Sequence, residues 1–187
     1  MSKKIIALGI LFSATASASA FAASDNTITF QGEVADQTCQ VSINGNAGSP
    51  VVLLPTVRAA DLLTAGQSAG DTTFEVGVTG CTANDTDDIK VSTVFVGNIV
   101  TKDGNLGNTG TAKNVEIQIK DGAKPATAID FSKGSYTGAG DLTITSSKDA
   151  ENPNTSASHE YVASYYSTGG ATVGSVAASL QYAVSYQ

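Results

Sequence analysis

Apolar residues recur at every second position along much of this chain, and that period belongs to strands rather than helices. Val115-Glu116-Ile117-Gln118-Ile119-Lys120 is the cleanest stretch, with apolar side chains on one face and polar ones on the other. Ile28, Phe30, Gly32 and Val34 share one parity, as do Phe74, Val76 and Val78 just before Cys81. Ile89 to Val96 is a β-branched run with looser alternation, which predicts a strand buried on both faces. Leu142-Thr143-Ile144 and Tyr161 to Tyr166 predict further short strands, and Leu180 to Gln187 the last. Between them lie Asp103-Gly104 and Asp121-Gly122, pairs that accept the positive φ of hairpin turns. Residues 134–141 and 146–158 read as polar connectors. Only Arg58 to Leu63 looks helical. Many short strands with almost no helix predict an all-β sandwich.

The first 22 residues fall outside that pattern. Met1-Ser2-Lys3-Lys4 is basic, Ile5 to Phe12 is apolar, and small residues follow to Ala23, the order of a secretory signal peptide. Cleavage is expected after Ala22, with Ala20 as the other site that fits. The apolar run is shorter than the roughly 20 residues that span a bilayer. What remains fits one domain. The formal net charge is −7, and losing Lys3 and Lys4 makes it more negative. Such a surface repels phosphate backbones, so no nucleic-acid partner is expected.

Chemistry has little to work with. One His and two Cys cannot assemble a multi-ligand site of those residues within one chain. His159 reads as a loop or strand-edge residue, and no Gly-x-Ser-x-Gly elbow accompanies it. Asn84-Asp85-Thr86-Asp87-Asp88 lacks the EF-hand pattern and reads as a polar turn. Gly104, Gly107 and Gly110 do not follow the phosphate-loop spacing. Two glycosylation sequons, at Asn84 and Asn154, are short enough to arise by chance. No enzyme activity, metal or cofactor is expected. Cys39 and Cys81 meet an oxidising compartment after export, so a disulfide is expected. The alternative, two free thiols for redox work, has no Cys-x-x-Cys and no neighbouring His.

The informative features lie at the two ends. Ala178, Leu180, Tyr182, Val184 and Tyr186 fall on one face of a terminal strand. Either the domain pairs that strand on both edges, or one edge is a template for another chain. Thr27 to Val34 is either the first strand of the sandwich or a segment able to add to an open sheet edge elsewhere.

These ends carry a resemblance. Thr27-Ile28-Thr29-Phe30-Gln31-Gly32-Glu33-Val34 followed by Cys39 resembles the start of chaperone–usher fimbrial subunits of the type 1 pilin family. Val57-Arg58 with Leu62, then Phe74-Glu75-Val76 leading into Cys81, continue the likeness. So do Tyr165-Tyr166-Ser167-Thr168-Gly169, Ala171-Thr172, Gly174, Gln181-Tyr182 and Val184-Ser185-Tyr186-Gln187. The resemblance implies an incomplete immunoglobulin-like β-sandwich lacking its final strand, completed by donor-strand exchange. It implies a signal peptide over 1–22, a donor extension over 23–33 and a pilin domain over 34–187. Thr27, Ile28, Thr29, Phe30, Gln31 and Gly32 would form the donor strand. Gly174, Leu180, Tyr182, Val184, Tyr186 and Gln187 would serve the acceptor groove and chaperone recognition, with the Gln187 carboxylate as the chaperone's anchoring charge. The implied partners are identical or related pilins, a periplasmic chaperone and an outer-membrane usher. The expected function is that of a structural subunit of a surface fimbria supporting adhesion, exported through the periplasm. A minor adaptor or tip pilin is the alternative. The short extension carries Asp25 and Asn26 where some relatives are apolar.

Overall fold

The computed structural model describes residues 32, 34, 39–82, 87–122, 126–145 and 155–186. The chain divides into two units, Met1–Gly32 and Glu33–Gln187. Among the described residues of the second unit, nine strands form two sheets: β1 Gln40–Ile43, β2 Ser68–Thr79, β3 Val91–Gly97, β4 Leu106–Gly107, β5 Val115–Asp121, β6 Thr127–Ala128, β7 Tyr136–Thr137, β8 Ala157–Ser167 and β9 Leu180–Tyr186. One sheet runs β1-β2-β8-β5-β4 with β6 beside β5, and the other runs β7-β3-β9. Every pairing is antiparallel. Short 3-10 turns occupy Ala59–Leu62 and Phe131–Lys133.

The period-two rows supply the core. Phe74, Val76 and Val78 of β2 meet Val91 and Phe95 of β3, Ile117 and Ile119 of β5, and Tyr161 of β8. Phe95 sits within an aromatic cluster, 4.9 Å edge-on from Tyr161 and within 6.3 Å of Phe74 and Tyr136 between ring centroids. Edge-on and offset contacts of this kind add stabilisation beyond area burial. β2 bends at a bulge between Ala69 and Thr72, where Gly70 takes φ +70°. A side chain there would also strike the Tyr165 ring, so glycine answers both demands.

Three places depart from the sequence reading. Leu142 to Ile144 makes a single bridge, Ile144 to Ile89, instead of a strand. The backbone turns at Asp141-Leu142 after β7 leaves β3 at Val94 and Phe95, so pairing resumes only through Leu142 N–H to Val91 O and the bridge to Ile89. The Asp141 carboxylate is drawn inward, accepting from Thr93 N–H at 2.9 Å and from Tyr161 O–H at 2.6 Å. Glu116, expected in an outward polar row, is buried because Asn105 covers it and donates to its Oε2 at 2.9 Å.

His159 is the third. It belongs to β8 rather than to a loop, and there, among the described residues, β8 pairs with β2 alone, because the pairing with β5 ends at Asp121↔Tyr161. It shares parity with Tyr161 and Ala163 and therefore faces inward. Its Nε2 lies 2.8 Å from Asp121 Oδ1, whose partner oxygen accepts from Tyr136 O–H at 2.9 Å.

Burial first, then the bond to Asp141, pushes the Tyr161 hydroxyl pKa well above the ordinary tyrosine range. The same two causes act at Tyr136 through Asp121. Both raise the folded value above the unfolded one, so the fold favours the protonated phenols. That stability is complete below the unfolded value of about 10 and is lost as pH rises toward the folded values. Urea midpoints should stay level at mildly alkaline pH and fall above about pH 10, with a shallower fall in Tyr136→Phe. An unchanged slope in that variant would remove Tyr136 from this account.

Candidate functional site: an open groove beside the last strand

β9 pairs with β3 through seven consecutive residues, from Gly97↔Leu180 to Val91↔Tyr186. Among the described residues, no strand pairs with its other edge. An inward-facing row in a finished sandwich is dry, as Tyr161 and Ala163 of β8 are. On β9 the corresponding row of Leu180, Tyr182 and Val184 is only half-buried, although it packs on the core. The row extends toward the N-terminus through Ala178 and Val176, also half-buried and packed on the core.

Opposite this edge lies the segment Ser49–Leu54. It belongs to no strand, yet Val52 and Leu54 turn inward onto the core while Val51 and Leu53 are exposed. That alternation is strand geometry without a ladder. Between the two banks is a groove of about 1050 Å³, bordered by Ser49–Leu54 and Val176–Tyr182. Its floor is the core itself: Phe74, Phe95, Leu106, Ile117, Ile119 and Ala163.

Two tyrosines of β9 reach across to the far bank. Tyr182 O–H donates to the Gly48 carbonyl at 2.7 Å. Tyr186 accepts on its hydroxyl from the Cys39 N–H, also at 2.7 Å. Cys39 is bonded to Cys81, with Cα atoms 4.5 Å apart, just beyond the paired ends Gln40 and Thr79 of β1 and β2. The disulfide therefore pins the short edge strand β1 to the long β2.

Of the residues expected to serve the groove, Leu180 and Tyr182 line it. Val184 and Tyr186 continue the same face beyond its end, Tyr186 through the contact just described. Gly174 lies before β9, against the backbone of Ala112 and the hydroxyl of Thr111, and does not border the groove. Gln187 and Thr27 to Gln31 lie outside the described residues, as do Asn84 and Asn154. Gly32 has open space where a Cβ would stand, and Val34 is exposed.

Sequence reasoning missed the second bank. Its signal was present in Pro50-Val51-Val52-Leu53-Leu54-Pro55, an apolar run between two prolines, which keep a segment extended and out of a central ladder. It also missed the floor, which no local pattern separates from ordinary core.

Comparison with known proteins agrees with this architecture. The signature of the family described as fimbrial protein matches residues 28–187. The F17 fimbrial protein of Escherichia coli is 38% identical, with 100% of both chains covered. The major fimbrial subunit SMF-1 of Stenotrophomonas maltophilia is 34% identical over 88% of this chain and 94% of its own. The crystal structure of the P pilus rod subunit PapA shares the fold, with a TM-score of 0.53 at 20% identity over 86% of this chain and 100% of that one. The chain belongs to the fimbrial protein family and is a structural fimbrial subunit.

Proposed function

We propose that copies of this chain link head to tail by strand donation. The leading segment Thr27 to Gly32 of one copy adds beside β9 of the next, between the two banks of the groove. The observation that carries this reading is the half-wet inward row of β9 above an open core. Backbone hydrogen bonds to the free edge supply affinity, and Ile28 and Phe30, on one parity, supply the apolar side chains the floor lacks. Each Å² of apolar surface dried in this way contributes about 25 cal/mol. The contact is heterologous and does not close on itself, so it extends into a filament.

On this reading residues 1–22 are a cleaved leader, 23–33 the donor and 34–187 the receiving domain. A periplasmic chaperone fills the groove before assembly, held in part by the Gln187 carboxylate. An outer-membrane usher then passes the subunit to the surface, where the filament supports adhesion.

The test removes residues 23–33 and adds them back as a synthetic peptide. At a hundredfold excess over its dissociation constant, the peptide should stabilise the truncated domain by about 2.7 kcal/mol, roughly 5–10 °C in melting temperature. No shift, together with an intact chain that stays monomeric at every concentration, would overturn strand donation.

A further inference from the structure

Gly174 performs a different task from lining the groove. If it carried a Cβ, that atom would stand 2.3 Å from Ala112 N and 2.7 Å from Ala112 Cα. Across the same contact, a Cβ on Gly110 would stand 2.1 Å from the Ser175 carbonyl oxygen. Neither glycine has a positive φ, so what each provides is room. Two backbones meet here with no space for a side chain on either.

Around the two glycines the segments 108–113 and 172–177 are laced antiparallel. Thr109 N–H donates to Ala177 O at 2.8 Å, Ala112 N–H to Ser175 O at 3.0 Å, and Thr172 N–H to Lys113 O at 3.1 Å. Side chains complete the set. Ser175 N–H donates to Thr111 Oγ1 at 2.9 Å and Ala177 N–H to Asn108 Oδ1 at 2.9 Å. Thr111 N–H donates to Ser175 Oγ at 3.1 Å. Neither segment belongs to a strand, yet these bonds tie each to the other from end to end.

One arm of this clasp contains Val176 and runs on into Ala178 and Leu180, the inward row of the groove's β9 bank. Val176 packs on the main core and also on the second cluster formed by Leu62, Ala112, Val115 and Ala171. Val176 thus transmits the position of the clasp to the groove wall. Displacing either backbone by a methyl group moves the bank at this end and leaves the other end, where Tyr182 and Tyr186 cross to Gly48 and Cys39, in place.

We infer that Gly110 and Gly174 are a reciprocal pair of positioning residues that set one end of the acceptor groove. This deepens the strand-donation reading and rests on it. Gly110 is the sharper member, because it lies far from β9 in sequence and has no part in a terminal recognition strand.

The experiment uses the full chain and three peptides: residues 23–33, the same peptide shortened by three residues at its start, and one shortened by three at its end. In the parent, each truncation should weaken binding. In Gly110→Ala and in Gly174→Ala, affinity for the complete peptide should fall about tenfold, the effect of forcing a methyl group into a filled contact. One truncation should then become silent, because the contacts it removes are already lost, while the other keeps its parental cost. Hydrogen exchange should quicken at Val176 and Ala178 and stay unchanged along Tyr182 to Tyr186.

Thr111→Val, which removes the acceptor for Ser175 N–H at nearly constant volume, should give a weaker form of the same pattern. It keeps the test readable if an alanine variant does not fold. Equal losses for all three peptides, or unchanged affinity in Gly110→Ala, would overturn the pair's positioning role while leaving strand donation intact. A parent chain that binds none of the peptides would overturn both.

Discussion

Phe95→Ala should destabilise the domain by about 3–5 kcal/mol, a large share of the stability of a domain this size. The side chain is fully buried and sits among Phe74, Tyr136 and Tyr161. Its loss removes the shared partner of three rings and opens a cavity that joins the groove. A cavity open to solvent can take up water, which recovers little when every wall is apolar. The variant should therefore bind the donor peptide poorly even where enough of it remains folded to measure. Val96→Ala, one residue along β3 and 41% exposed, is the control and should stay within about 0.5 kcal/mol of the parent. Equilibrium urea unfolding of the two variants, read by near-ultraviolet circular dichroism, checks the contrast. Similar midpoints for both would remove Phe95 from its central place.

Replacing both Cys39 and Cys81 with alanine should cost about 4 kcal/mol, the chain-entropy value for a loop of this length. The bond closes a separation of 42 residues. β1 has only four residues and, among the described residues, pairs with β2 alone, so it depends more on a covalent restraint than β8, paired along most of its length on both sides. The loss should appear first in β1, as faster hydrogen exchange at Val41 and Ile43, before the β2–β8–β5 centre opens. Reductant should reproduce the effect in the parent and do nothing further to the double variant. A parent whose unfolding midpoint is unmoved by reductant would show that the bond contributes little.

Much of this fold was legible because strand chemistry is local. Val115 to Lys120, Phe74 to Val78 and Leu180 to Tyr186 announce their inward faces through parity alone, and β5, β2 and β9 follow them. The expected disulfide rests on compartment logic, and the Cys39–Cys81 bond is present. Errors gather where a tertiary neighbour overrides local pattern. Leu142-Thr143-Ile144 alternates as a strand should, but a turn at Asp141-Leu142, with the Asp141 carboxylate on Thr93 N–H, leaves it a single bridge to Ile89. His159 reads as a loop or strand-edge residue, and only the fold brings Asp121 of β5 beside it.

The groove was half legible. Leu180 and Tyr182 stood out as an apolar row near the chain's end, whereas the Ser49–Leu54 bank contains no regular strand for pattern to find. Gly174 stood out by position, yet its surroundings depend on Gly110, 64 residues earlier, and no periodicity links the two.

The contact between Tyr186 and the amide of Cys39 ties three strands together at one point. Cys39 is bonded through its sulfur to Cys81 and leads into β1, while its amide holds the hydroxyl at the end of β9. The last strand of one sheet is thereby buttoned to the covalently closed corner of the other, so a pull on that strand is shared by both layers.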